Sequence, residues 1–356
     1  MTPLWIFEFG FCSRRTNSAK LLCFGLTALV FALSLPAEAQ QTGKVPRLGY
    51  VSVRGASSQA PVLEGFRQGL RELGYTEGKN IIIEYRFAEG RRELLPSMVS
   101  ELILLKVDVI VSGGAGPTRA AKQATSTIPI VFAQDLDPIG NKFVASLARP
   151  GGNVTGLSTL QVDLAGKRLE LLKEVVPKVF HVAVIGSSTS ADNARQLKET
   201  EVAAAALGLR VRFLDMRNPK DIEPTFNSLL EPRADGLSVL TNSFERPNRQ
   251  YIVHLASKFR LPAVYFGPSL VEDGGLMSYG VNDADLYRRA AVRDANPGLP
   301  ARRGGLLDKI LKGAKPSELP VEQPTKFDLV INLRAAKQIG LTVPQSVLAR
   351  ADKVIK

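Results

Sequence analysis

Cysteine is almost missing from this chain. The two that occur, Cys12 and Cys23, fall within the first 39 residues. A chain cut after Ala39 carries no thiol, which excludes a disulfide framework, a thiol nucleophile and a cysteine metal site. Histidine is as scarce: His181 opens an apolar strand pattern, His254 lies on a helix face, and neither has a nucleophile or metal partner nearby in sequence. No G-x-S-x-G elbow and no H-E-x-x-H pair occurs. The glycines of Gly113-Gly114-Ala115-Gly116 have neither dinucleotide nor Walker spacing, and no Gly-Lys-Ser/Thr follows them. The reading is therefore of a protein that is not an enzyme and uses no cofactor and no metal.

A long hydrophobic run is also lacking. The apolar stretch Leu21 to Leu35 is short of the ~20 residues that span a bilayer. Arg14, Arg15 and Lys20 precede it, and Pro36-Ala37-Glu38-Ala39 supplies small residues at an A-x-A site. Residues 1–39 read as a cleavable signal peptide, with export to the periplasm and a mature start near Gln40.

Charge of one sign is in excess. Lys and Arg number 46 against 34 Asp and Glu, a formal net charge of +12. Losing Arg14, Arg15, Lys20, Glu8 and Glu38 with the leader leaves about +11. The positive charges are scattered, the densest pairs being Arg288-Arg289 and Arg302-Arg303, and no helix-turn-helix is legible. With an export signal, this reads as a solvated basic surface and not as a nucleic-acid site.

What is present is a repeating rhythm of short apolar strands and amphipathic helices. Arg47 to Val53 reads as a strand, followed by a helix with Val62, Phe66, Leu70 and Leu73 at i, i+4, i+8, i+11 and a C-cap at Gly74. Strands follow at 80–85, 107–111 and 128–132, with helices at 94–105 and 117–125 between them. After Arg149-Pro150-Gly151-Gly152-Asn153 the pattern restarts. It gives a helix over 167–176, strands over 181–186, 210–214, 236–240 and 263–266, and helices over 191–207 and 222–230. Both halves carry a helix ending in Leu-Gly (Leu73-Gly74, Leu207-Gly208) and an aspartate before a later strand (Val107-Asp108, Ala234-Asp235). The fold class is α/β: two Rossmann-like lobes with parallel sheets and a ligand cleft between them. The first lobe is expected over 45–158, completed by a segment within about 262–300. The second is expected over 159–261, completed by C-terminal segments within about 301–356.

In such sheets ligands meet the loops that leave the carboxyl ends of strands. The candidates are Ser52 and Ser57, Gly114 and Thr118, Asp135 and Asp137, Ser188, Ser190 and Asn193, Asn242, and the aromatics Phe266 and Tyr279. The segments Ser112 to Gly116 and Ser187 to Ser190 sit at helix starts, where unpaired N–H groups and the helix dipole favour an anion such as a carboxylate. Each serine reads equally as an ordinary N-cap. Asp135 and Asp137 either receive an amine or hydroxyl or cap a turn. Of the aromatics at or beside strand ends, Phe132, Phe244, Tyr265, Phe266 and Tyr279, one or two are expected to stack on a flat ligand, the others being core.

Long stretches resemble the ABC transporter substrate-binding proteins of the type I periplasmic binding protein class, a group that includes tryptophan- and tyrosine-binding members. They include Arg47 to Tyr50, Phe66 to Tyr75, Ala120 to Phe132, Ser146 to Thr155, Lys309 to Pro316 and Leu319 to Leu333. The resemblance covers essentially the whole chain beyond the leader. It implies lobes joined by crossing strands that close on a small-molecule ligand, and delivery to ABC transporter permease subunits in the inner membrane driven by a separate ATPase. Amino acids, aromatic ones above all, are the cargo it suggests. The same lobes would serve a sensory protein presenting its closed form to a membrane receptor. One segment departs from the pattern: Arg293 to Gly305, with two prolines and three glycines, breaks a helix that the family continues. It reads either as a surface loop or as a frameshift scar.

Overall fold

The computed structural model describes residues 44–241, 248–291, 305–324 and 326–356. The leader, Asn242, Phe244 and nearly all of the Arg293–Gly305 segment lie outside them. Twelve strands among the described residues make two sheets. The first has five, β1 (Arg47–Ser52), β2 (Ile82–Phe87), β3 (Val109–Gly113), β4 (Ile130–Asp135) and β5 (Val154–Ser158), in the order β2-β1-β3-β4-β5 and parallel throughout. The second has seven: β6 (His181–Gly186), β7 (Arg210–Asp215), β8 (Gly236–Val239), β9 (Ala263–Tyr265), β10 (Met277–Gly280), β11 (Asp328–Asn332) and β12 (Lys353–Ile355). Their order is β12-β11-β10-β9-β8-β6-β7.

The reading of parallel sheets needs one correction, since β11 runs antiparallel to β10 with Met277 opposite Ile331. No crossover helix feeds β11 from β10: the chain first leaves for the other sheet and returns from it, so nothing imposes the parallel direction that a βαβ unit does.

Each sheet is covered on both faces, which is why its central strands are apolar along their whole length. On one face of the first sheet, Val62, Leu63, Phe66 and Leu70 of the helix Ala56–Glu72 pack with Leu286, Tyr287 and Ala290 of the helix Asp283–Ala291 and with Leu306, Leu307 and Ile310. Phe66 alone, fully buried, contributes about 2–3 kcal/mol. The two helices approach closely at Gly69, where a Cβ would lie 2.3 Å from the Arg288 carbonyl oxygen. On the other face Leu95, Val99 and Leu102 pack with Ala120 and Ala121. Cores of the same kind flank the second sheet.

The correspondence between the halves has a physical basis. Asp108, just before β3, accepts the backbone N–H of Arg47 at the start of β1 (2.7 Å). Asp235, just before β8, accepts that of His181 at the start of β6 (2.9 Å), and Phe180 as well (3.1 Å). A third copy, Asp352 before β12, accepts Leu329 N–H at the start of β11 (2.9 Å). In each case the carboxylate satisfies a donor that the sheet ladder leaves over. The helix Ala191–Leu207 is bounded as its sequence dictates, by Ser190 accepting from Asn193 N–H (3.3 Å) and by Gly208 at φ 65°.

The chain passes between the two sheets three times: after β5, after β10, and between the helix Leu306–Leu311 and β11.

Candidate functional site

The carboxyl edges of the two sheets face one another, and side chains from both meet there. From the first sheet, the loop after β4 supplies Asp135, Asp137 and Asn141. From the second, the helix after β6 supplies Asp192 and Arg195 from its first turns. The Arg195 Nε lies 2.7 Å from Asp137 Oδ2, and Arg195 also pairs with Asp192 in its own helix. Arg195 Nη2 donates to Asn141 Oδ1 (3.3 Å), while Asn141 Nδ2 donates to Asp135 (3.1 Å) and to Asp192 (3.4 Å).

Three carboxylates and one guanidinium make this junction electrically unbalanced. Asp135 is fully buried and accepts from Asp137 N–H (3.0 Å) and Asn141. Burial, then the Asp192 carboxylate, push its pKa up to about 7. Burial also raises Asp192, although Arg195 draws it the other way.

The other residues singled out from sequence fall into two groups. Several are consumed by internal bonds. Ser52 Oγ accepts Arg54 N–H and Gln59 Nε2 (both 3.1 Å), and Gln59 in turn accepts from Tyr50 (3.0 Å). Thr118 is buried, with its Oγ1 2.7 Å from Ser112 Oγ and donating to the Gly114 carbonyl (2.8 Å). Asn193 is buried, accepting Ser187 N–H and donating to the Thr241 carbonyl (2.7 Å each). Ser190 is the N-cap described above, and Ser188 binds Asp215 through its N–H (2.7 Å) and hydroxyl (2.6 Å). Phe266 is 2% exposed and belongs to the core of the second sheet.

The second group borders open space. Ser57 is exposed in the first turn of Ala56–Glu72. Gly114, with φ 110°, starts the helix Ala115–Ala124, and a Cβ there would meet nothing within 4 Å. Tyr279 is half-buried with its ring 6.0 Å from Phe327. Asn242 lies outside the described residues. Next to it, Thr241 Oγ1 is buried with no hydrogen-bond partner among the described residues.

Sequence reasoning missed Asn141, Asp192 and Arg195. Asp192 and Arg195 are spaced i, i+3 on a helix start, which is a legible pairing signal, but nothing along the chain relates them to Asp137 more than fifty positions earlier. A second chain of polar contacts was also missed: Arg54 Nη2 donates to Gln134 (3.3 Å), and Gln134 Nε2 donates to Asp283 (3.1 Å), joining the loop after β1, the end of β4 and the start of the helix Asp283–Ala291.

Comparison with known proteins bears on this geometry. The family model for ABC transporter substrate binding protein matches residues 51–355. A tyrosine-binding protein of Clostridioides difficile (strain R20291) is 26% identical over 294 residues, covering 82% of this chain and 79% of the relative. Among solved structures, a conserved domain protein from Vibrio cholerae O1 biovar eltor is 28% identical with a TM-score of 0.78, covering 87% of this chain and 100% of that one. An ABC domain in complex with L-Trp from Streptococcus pneumoniae is 26% identical with a TM-score of 0.76, covering 88% and 100%.

Proposed function

Because the chain belongs to the ABC transporter substrate binding protein family, we propose that it is the exported solute-binding component of an ABC importer and that its ligand is an aromatic amino acid. The observation that carries this reading is the set of side-chain contacts joining the two carboxyl edges, Asp137 to Arg195 and Asn141 to Asp192. Two lobes joined by three crossings and meeting through side chains at their carboxyl edges can part and re-form those contacts around a ligand. A ligand bound more tightly by the closed form then shifts the population toward it, and a permease reads that form.

The chemistry of the edge suits a zwitterion. Gly114 and the first N–H groups of Ala115–Ala124 offer donors and a dipole to a carboxylate. Asp137 and Asp192, both partly exposed and sharing one arginine, leave negative charge for an ammonium group. Tyr279, half-buried with its ring 6.0 Å from Phe327, is the candidate aromatic suited to stacking. The names of two relatives, one tyrosine-binding and one solved with L-Trp, support the aromatic class. The leader pattern of residues 1–39 supports export to the periplasm, and the family supports permease subunits as partners.

Thermal unfolding with L-Trp, L-Tyr and L-Phe at millimolar concentration, against sugars and purines as controls, tests the reading. A ligand that binds only the folded state raises the midpoint by RT ln(1 + [L]/Kd) divided by the unfolding entropy. A rise with the aromatic amino acids alone is expected. A rise confined to the sugars or purines overturns the ligand class, and no rise with any solute overturns the binding role.

A further inference from the structure

The crossings between the sheets contain two single-residue joints. The first follows β5. Ser158 N–H donates to the Glu322 carbonyl (2.9 Å), and Thr159 donates to the Asp135 carbonyl through both its N–H (2.8 Å) and its Oγ1 (3.3 Å), so residues 158 and 159 belong to the first lobe. Gln161 is held by the second: its carbonyl accepts Arg168 Nη2 (3.0 Å), its Oε1 accepts the same nitrogen, and its Nε2 donates to the Phe266 carbonyl (3.2 Å). Between these anchors stands one residue, Leu160, and it has φ 54°. Its carbonyl accepts Leu164 N–H (3.1 Å) and so turns with the second lobe. A leucine in the left-handed region bears a steric cost between its Cβ and its own carbonyl that glycine does not.

The second joint follows β10. The Tyr279 carbonyl accepts Arg168 Nε (3.0 Å), and Gly280 is still paired opposite Asp328. One residue later Val281 is buried in the core of the first sheet. At Gly280 a Cβ would stand 1.9 Å from the Phe266 carbonyl oxygen, just after β9, and 3.3 Å from Gln161 Nε2, so the second crossing passes the end of β9 and the Gln161 side chain of the first where no side chain fits.

Arg168 joins the two. It lies in the helix Leu164–Val175, is fully buried, and donates to Gln161 in one crossing and Tyr279 in the other. No carboxylate is paired with it among the described residues, and Nη1 has no acceptor there. Burial alone brings its pKa down to about 9. A guanidinium buried without a counter-ion is costly, and an apolar residue would fill the same space at no such cost. What an apolar residue lacks is a planar fork of donors that reaches two backbones at once.

We propose that the first two crossings pivot at Leu160 and Gly280, and that Arg168 is the positioning residue that clamps both of them to the second lobe and so confines their bending to those two residues. This rests on the lobe closure of the functional reading but not on the identity of the ligand. Opening turns Leu160 out of the left-handed region, and its strain in the closed form sets the balance between the two states. In the third crossing Arg289 Nη2 donates to the Gln323 carbonyl (3.2 Å) and holds that residue to the first lobe, so its share of the rotation falls between Gln323 and β11.

The test is a distance distribution between spin labels in the ligand-free full chain. With Cys12→Ser and Cys23→Ser as background, labels go on Ala60→Cys and Lys220→Cys, which are exposed, one on each lobe. Leu160→Gly removes the cost of the left-handed conformation and is expected to raise the ratio of closed to open form by about five- to tenfold. Arg168→Met is expected to broaden the distribution while unfolding remains cooperative; Arg168→Lys, which keeps the charge but not the fork, is read in the same way if the methionine variant does not fold. Unchanged distributions in Leu160→Gly and in the folded Arg168 variant, or a lower melting temperature as the sole effect at Arg168, overturn the proposal. Titration of the parent with L-Trp separates the two readings: if L-Trp does nothing while Leu160→Gly shifts the distribution, the pivot stands and the ligand assignment falls.

Discussion

A carboxyl group with no water around it and two other carboxylates nearby is a poor place for a negative charge, and Asp135 is such a group. Asp192 and Asp137 face it as like charges, Asn141 and the Asp137 N–H are its donors, and the one cation of the junction, Arg195, is bonded to its neighbours. Free aspartate titrates near 3.8, whereas Asp135 titrates at about 7. Between those values the folded chain holds a proton that the unfolded chain has released. Stability therefore falls as pH rises through the window from about 4 to 7, and the full penalty stands above it. Asp135→Asn keeps an acceptor for Asn141 and removes the charge. It is expected to flatten that part of the melting-temperature profile and to raise the melting temperature at pH 8 by a few degrees. A profile that keeps its slope in the variant would place the titrating group elsewhere.

Elements were more legible than contacts. The strands that sequence placed are β1 to β4 and β6 to β9, most of them short apolar runs because a strand covered on both faces is apolar along its length; β5, whose five residues include Thr155, Gly156 and Ser158, was missed. Strand β10 follows a helix of only five residues, and before β11, which runs antiparallel, the chain visits the other sheet, so the strand–helix rhythm that placed the others did not reach β10 to β12. The helix starts were legible through Ser190 and the ends through Gly74 and Gly208, where the residue type is demanded by the local backbone. Nothing in Thr159-Leu160-Gln161 announces a left-handed leucine, since tertiary anchors on either side impose it. The aspartates before β3 and β8 were legible as a repeat but not as a device, and their role can be measured. Asp108→Ala and Asp235→Ala each remove a charged acceptor from strand-start N–H groups. Each is expected to cost about 1–2 kcal/mol in denaturant unfolding, and the two costs should add, as they act on separate sheets. Asn at either position restores the acceptor and is expected to stay near wild type. A silent alanine at both positions would mean that water replaces the carboxylates without loss.

For the whole molecule, the question is what distinguishes the closed arrangement from an open one, since the cores of both sheets are common to the two. The described contacts that depend on the lobes meeting at their carboxyl edges are few, and Asp137 with Arg195 is the strongest of them by charge and by its 2.7 Å separation. Both side chains keep roughly a quarter of their surface in water, so the pair is worth much less than a buried one, on the order of 1 kcal/mol. That is still a several-fold change in a closed-to-open ratio. Asp137→Ala and Arg195→Ala should each weaken ligand binding several-fold through faster release, with melting temperatures of the ligand-free protein almost unmoved. The double variant distinguishes a latch from two separate ligand contacts. If the residues act on each other, the second substitution adds little to the first. If Asp137 acts through the ligand's ammonium group alone, with no contribution from its pairing to Arg195, and Arg195 merely steadies its helix, the two losses add in full. Raising the salt concentration gives an independent check, because it should weaken binding by the parent more than by either variant. Additive losses with equal salt dependence would overturn the latch and leave Asp137 its ligand role alone.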